Sequence, residues 1–303
     1  MNHRELVARI LELKKETKTL IMAHNYQRPE VQDIADILGD SLELARLARE
    51  IPEKRILLCG VRFMAESVKI LAPEKTVLTP DEEAGCPMAD MITAGDVCRL
   101  REEFPRHLFM AYVNTSADVK AEVDLCCTSS NALDLVRKLK GTKIFFLPDK
   151  NLGNWVKEQA GADMEIWPGF CYVHNRIRMA DLERGRSEHP EAMAIVHPES
   201  PLDVLKAADA VLSTGQMVTT VKKAKQKSFL VGTEEGMIYR LGTLFPEKTF
   251  YPMGRTFTCE NMKKVTLEKV YHSLLTGEKP VEVDSETIRR ASRSLSKMLE
   301  MSQ

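Results

Sequence analysis

Apolar and polar positions along this chain follow a rhythm that comes round three times. Short apolar runs of strand length alternate with longer stretches in which apolar residues return every three or four positions, the spacing of amphipathic helices. Three of the runs, LIMAHNY (20–26), LFMAYVN (108–114) and MAIVHPE (193–199), each stop at a ring-bearing residue: His24, Tyr112 and His197. These anchors lie 88 and 85 positions apart. A small hydroxyl residue follows 17 positions after each, namely Ser41, Ser129 and Thr214. A second apolar run recurs in register: RILLCG from Arg55, KIFFLP from Lys143 and SFLVGT from Ser228. Each copy closes at a cysteine, Cys86, Cys171 or Cys259, at 62, 59 and 62 positions after its anchor.

Each copy predicts strand, helix, short strand or turn, helix, strand, helix, strand, cysteine. In the second copy a first helix is expected over 117–123 and a second over ALDLVRKLK, where Leu133, Val136 and Leu139 share a face. A third, NLGNWVKEQAG, should close at Gly161. Strands and helices alternating at these lengths imply βαβ units with parallel sheets. The expected fold class is therefore α/β, with three pseudo-symmetric three-layer α/β/α units around a central site. The unit boundaries fall at 1–86, completed by 260–303, then 87–171 and 172–259. Three α/β units could be a duplicated scaffold and no more. The placement of polar residues argues for a site, because ligands bind beyond the carboxyl ends of parallel strands.

A single cysteine is usually a small buried hydrophobe. Three at matched repeat positions suit a metal centre, either zinc or an iron–sulfur cluster. A closed cluster normally takes four cysteines. Three on a [4Fe–4S] cube leave one iron open to act as a Lewis acid. The competing arrangement is zinc held by three cysteines and His174, three residues after Cys171. Cys59, Cys126 and Cys127 read as core, and Cys98 has no counterpart in the other copies. Glu199 and Tyr26 each follow a histidine anchor by two residues, so each pair faces one side of an extended chain. A carboxylate beside an imidazole and a phenol is a usable acid–base set. Ser41, Ser129 and Thr214 are expected either to cap helices or to bind anions at helix starts.

Composition sets the surroundings. The 303 residues are 44% apolar and 29% charged, with a net charge of −1. Nothing here forms the basic face that nucleic acid demands, and no apolar stretch reaches membrane-spanning length. The opening MNHRELVARILELKKE lacks the apolar centre and cleavage site of a signal peptide. A cytoplasmic setting, where thiols stay reduced, is expected.

The strings AHNYQRPEVQDIADILGDSLELA, GCPMADM, AYVNTSADVKAEVDLCCTSSNA, FLPDKNLG, WPGFCYVH, VHPES, STGQM and GTEEGMIYRL span nearly the whole chain. With the Cys259 segment they resemble the quinolinate synthases of bacterial and archaeal pyridine-nucleotide biosynthesis. The resemblance implies three pseudo-symmetric α/β domains with one [4Fe–4S] cluster at their junction. It implies condensation of iminoaspartate (iminosuccinate) with dihydroxyacetone phosphate to quinolinate, with loss of phosphate and two waters. It assigns cluster ligation to Cys86, Cys171 and Cys259. Substrate binding falls to His24, Ser41, Tyr112, Asn114, Ser129, His197, Glu199 and Thr214, and catalysis to Tyr26, His197 and Glu199. An aspartate-oxidising enzyme that supplies the imine is an implied partner. Some family members carry C-x-x-C-x-x-C around the last ligand. Here CENMKKV puts Met262 and Val265 in those places, so thiol–disulfide regulation is not expected there. Two other readings use the same cysteines: an iron–sulfur hydro-lyase acting on a hydroxy-dicarboxylate, and a cluster carrier or redox sensor.

Overall fold

The computed structural model describes residues 1–302. It contains three four-stranded parallel sheets, one per sequence copy. The first is built from β1 (Thr19–His24), β2 (Ile37–Gly39), β3 (Arg55–Cys59) and β4 (Thr76–Leu78). The second holds β5 (Leu108–Tyr112), β6 (Leu125–Cys127), β7 (Ile144–Leu147) and β8 (Met164–Ile166). The third holds β9 (Met193–Val196), β10 (Ala210–Val211), β11 (Ser228–Gly232) and β12 (Thr249–Pro252). Every sheet has the order second, first, third, fourth strand. The registers correspond as well: Ala23 pairs with Cys59, Ala111 with Leu147, and Val196 with Gly232.

Helices precede and link the strands in the same rhythm. The first unit uses α1 (His3–Glu16), α2 (Pro29–Ile34), α3 (Ser41–Glu50) and α4 (Arg62–Leu71). The second uses α5 (Ala94–Glu103), α6 (Ala117–Glu122), α7 (Ala132–Lys138) and α8 (Lys150–Ala160). The third uses α9 (Met179–Glu188), α10 (Leu202–Ala207), α11 (Thr214–Lys223) and α12 (Gly236–Leu244). The α/β class and the three-unit plan therefore hold. Gly161 closes α8 in the left-handed conformation, as its place in the sequence predicts. The last strand of the second unit ends at Ile166, because Pro168 cannot donate to a ladder, and beyond it only the isolated bridge of Gly169 with Asp149 continues the pairing.

Strands buried on both faces read as near-continuous apolar runs. Ile56, Leu57 and Leu58 of β3 and Phe146 and Leu147 of β7 are wholly enclosed. Cys59, Cys126 and Cys127 are buried in this material, as expected, while Cys98 is exposed on α5. After the third unit come α13 (Leu267–Thr276) and α14 (Ser285–Met301). The first packs on α1 and β3, and the second lies along α6 and β6 and reaches α4. The tail thus divides between the first two units. Among the described residues no helix is long and apolar enough to cross a membrane.

Candidate active site

In a parallel sheet of this order, the chain leaves the first and third strands toward opposite sides, and a crevice opens at their carboxyl ends. His24 ends β1 and Tyr112 ends β5, while His197 directly follows β9. One cavity collects all three rings, the three hydroxyl residues Ser41, Ser129 and Thr214, and the three cysteines Cys86, Cys171 and Cys259. Tyr26, Asn114 and Glu199 line it too. Every residue singled out in the sequence as a candidate site residue therefore borders the same space.

The hydroxyls do not cap helices. Asp40 caps α3 through its carboxylate, and Ser213 caps α11. Ser41 and Thr214 are the first residues inside those helices, and Ser129 lies ahead of Asn131, which flanks α7. Capping by the preceding residue leaves the side chains of Ser41 and Thr214 free of that duty. Thr214 accepts a hydrogen bond from Asn25 Nδ2 at 3.1 Å. The side-chain oxygen of Asn114 is buried without a partner, a free acceptor at the cavity wall.

The acid–base groups form one continuous chain. The Tyr112 hydroxyl donates to Glu199 Oε1 at 2.6 Å, and His174 Nδ1 lies 2.7 Å from Glu199 Oε2. His174 Nε2 is 2.8 Å from Thr233 Oγ1, and Thr233 Oγ1 is 2.6 Å from the Tyr26 hydroxyl. Burial works against charge on Glu199, but the imidazoles of His174 and His197 and the two hydrogen bonds outweigh it and hold the carboxyl below its usual range. An ionised Glu199 fixes the proton of His174 on Nδ1 and leaves Nε2 as an acceptor. Thr233 then donates to His174 and accepts from Tyr26. Burial, and secondarily the Glu199 charge, push the Tyr26 phenol well above its ordinary value, so it is a proton donor at rest. The nearer imidazole to Glu199 is thus His174. His197 Nδ1 is 3.9 Å away, although it is two residues distant in sequence.

His24 and His197 repeat one another. His24 Nδ1 accepts the Tyr26 backbone N–H at 3.1 Å, and His197 Nδ1 accepts that of Glu199 at 3.4 Å. Burial pushes the two rings down to about 4 and about 3. Each is neutral near pH 7, with its proton on Nε2 as a single directed donor.

The three cysteines come from three matched loops and remain free thiols. Each opens to the cavity on one side and has protein on the others. That enclosure pushes the Cys86 thiol up to about 12 and raises those of Cys171 and Cys259. A cation bound among them would reverse the balance, since metal ligation deprotonates thiols. The donor chemistry fits an iron–sulfur cluster held by three cysteines. Cys171, His174 and Glu199 also bring ligand atoms within 4.8 Å of one another. Both nitrogens of His174 are engaged by Glu199 and Thr233, which argues against it as a fourth zinc ligand.

Sequence reasoning passed over Thr233, Glu234 and Lys263. Lys263 Nζ donates to the Tyr26 carbonyl at 2.7 Å and pairs with Glu234 Oε1 at 2.9 Å. Glu234 is fully enclosed. Thr233 and Glu234 stand directly after the third strand of their unit, a repeat position that could have marked them.

Comparison with known proteins gives a concordant result. The family described as Quinolinate synthetase A protein matches residues 8–300. A quinolinate synthase of Caldicellulosiruptor bescii is 48% identical over 302 residues, covering 99% of this chain and 100% of that protein. One from Dehalococcoides mccartyi strain CBDB1 is 47% identical over 298 residues, covering 98% and 99%. One from Alkaliphilus metalliredigens is 45% identical, covering 99% and 100%.

Proposed function

Because the chain belongs to the quinolinate synthase family, we propose that it condenses iminoaspartate with dihydroxyacetone phosphate to form quinolinate for NAD biosynthesis. Phosphate and two waters leave, and no net redox change is required. The observation that carries this reading is the meeting of three unpaired thiols, one per unit, on the cavity that also holds the Tyr26–Thr233–His174–Glu199 chain. We take the unit boundaries at 86, 171 and 259, where each segment ends on its cysteine. Cys86, Cys171 and Cys259 would hold a [4Fe–4S] cluster. When bound, the cluster supplies a Lewis-acidic iron suited to dehydration.

The remaining chemistry belongs to side chains. His24 and His197, as neutral Nε2–H donors, suit the carboxylates of the imine. Ser41, Ser129 and Thr214 offer hydroxyls to the phosphate and to the carbonyl of the three-carbon substrate. Asn114 has its free acceptor for the imine or enamine N–H. Tyr26 gives or takes a proton at its phenolic oxygen, and Thr233 passes it to His174 Nε2. Glu199 holds the imidazolium that results, with Tyr112 fixing the carboxylate from the other side. The placement parallels the relay logic of hydroxyl–imidazole–carboxylate triads.

Anaerobically reconstituted protein should show the brown absorption of an iron–sulfur cluster and form quinolinate from the two substrates. A colourless zinc protein without this activity would refute the reading. Dehydration of a simple hydroxy-dicarboxylate with no use of the phosphorylated substrate would favour a hydro-lyase. The imine is unstable, so an aspartate-oxidising enzyme is the natural supplier. A reducing cytoplasm suits such a cluster.

A further inference from the structure

The three cysteine loops are anchored alike by the backbone. The third residue beyond each unit's third strand donates its N–H to the carbonyl two residues before a cysteine. Arg62 donates to Ala84 at 2.8 Å, Lys150 to Gly169 at 2.8 Å, and Glu235 to Phe257 at 2.9 Å. The side chain one position earlier breaks the symmetry. In the second unit it is Asp149, and in the third Glu234, both fully enclosed. In the first it is Val61, which has no acceptor.

Each carboxylate forks between a helix start and a cysteine. Asp149 Oδ1 accepts from the Leu152 N–H at 2.7 Å, capping α8, while Oδ2 accepts from the Cys171 N–H at 3.1 Å. Glu234 Oε2 accepts from the Gly236 N–H at 2.7 Å, at the start of α12, while Oε1 accepts from the Cys259 N–H at 3.1 Å. Asp149 fills a cap role that many residues serve. Glu234 does not, since the cap position of α12 belongs to Glu235 and carries no side-chain cap bond. Two different side chains at one repeat position thus converge on the same contact, a cysteine backbone N–H.

We propose that Asp149 and Glu234 are paired positioning residues that hold the Cys171 and Cys259 loops in ligating geometry, whereas the Cys86 loop has no such carboxylate and is fastened instead by its backbone anchor and by Lys264 Nζ on the Glu83 carbonyl at 2.9 Å. The proposal deepens the cluster reading above and rests on it for the identity of the group held. Groups behind metal ligands orient them, and their loss typically costs ~10–100-fold in metal affinity. All contacts made by the four oxygens just described are donors. An isosteric amide therefore presents an NH2 to one N–H and forfeits that bond with no change in side-chain volume; at Glu234 it also removes the charge paired with Lys263 Nζ, 2.9 Å from Oε1.

The test uses Asp149→Asn and Glu234→Gln in the full chain, with two readouts. In metal-free protein, the rate at which a thiol reagent labels each cysteine is followed by peptide mass mapping. In reconstituted protein, cluster loss to a chelator is followed by absorbance. Asp149→Asn should speed labelling of Cys171 alone and Glu234→Gln that of Cys259 alone, about tenfold or more, with buried Cys59 unchanged. Both variants should lose cluster ~10–100-fold faster than the parent. Parent rates in both readouts overturn the proposal. So does faster labelling of all cysteines together, Cys59 included, which would mark general destabilisation. If the parent chain takes up no cluster, the functional reading fails, while the labelling pattern still decides whether the carboxylates position the loops.

Discussion

Replacing Glu199 by glutamine exchanges one oxygen of an enclosed carboxylate for an NH2 and tests the whole proton path. The carboxylate has two acceptors, each serving one donor: Oε1 takes the Tyr112 hydroxyl at 2.6 Å and Oε2 takes His174 Nδ1 at 2.7 Å. Glutamine has one acceptor. If its oxygen keeps Tyr112, its NH2 faces His174 Nδ1, and the imidazole must move its proton to Nε2. Thr233 must then accept from His174 and donate to Tyr26, which reverses the relay. If the oxygen keeps His174 instead, the Tyr112 hydroxyl meets an NH2. A hydrogen bond to a charged group contributes ~1.5–3 kcal/mol, so one such loss in the transition state is about 10- to 150-fold. Losing the carboxylate that holds the imidazolium extends this to the ~10²–10⁴-fold expected for lost acid–base catalysis. Tyr112→Phe, which removes one donor and keeps the charge, should fall at the low end. The assay is kcat for quinolinate formation, with cluster content and substrate-induced spectral change measured on the same samples. Turnover within a few-fold of the parent in Glu199→Gln, with cluster intact, would refute the relay.

Cys86→Ser, Cys171→Ser and Cys259→Ser should each sharply reduce iron and sulfide content, while Cys98→Ser and Cys127→Ser should retain it. Equal losses in both groups would remove the ligand assignment. Thr233→Val keeps shape but strips the hydroxyl between Tyr26 and His174, so kcat should fall ~10²-fold or more with KM little changed; unchanged kcat would take Thr233 out of the proton path. Stability should decline in mild acid. His24 and His197 sit at about 4 and about 3 when folded, against ~6.5 for the free side chain. The unfolded state therefore binds more protons below pH 6.5, and stability is lost as pH falls toward the folded values. Each ring contributes up to about 1.4 kcal/mol per pH unit. Urea midpoints that stay flat from pH 6.5 to 5 would contradict neutral burial of these rings.

The triplicate plan was legible in the sequence because it is local. Strand length, helix period and the distance from ring to cysteine are read along one chain, and each α/β unit folds by its own short-range pattern. The same repeat placed His24, Tyr112 and His197 at strand ends and the three cysteines in the loops that follow each unit's last strand. With parallel sheets, that put them at one crevice. The pairings inside the cavity were not legible. Glu199 stands beside His197 in sequence, yet its carboxylate is nearer His174, and Thr233 joins His174 to Tyr26, 207 residues away along the chain. Only the packing of three units about a common centre decides which of several nearby imidazoles reaches a carboxylate. A hydrogen bond tolerates a few tenths of an ångström, and sequence spacing resolves no such distance. The helix caps show the same limit on a smaller scale. By position Ser41 and Thr214 are candidates either to cap their helices or to bind an anion there, and the caps fall to Asp40 and Ser213 one position earlier. That single-residue shift turns Ser41 and Thr214 from structural caps into side chains free to face a ligand.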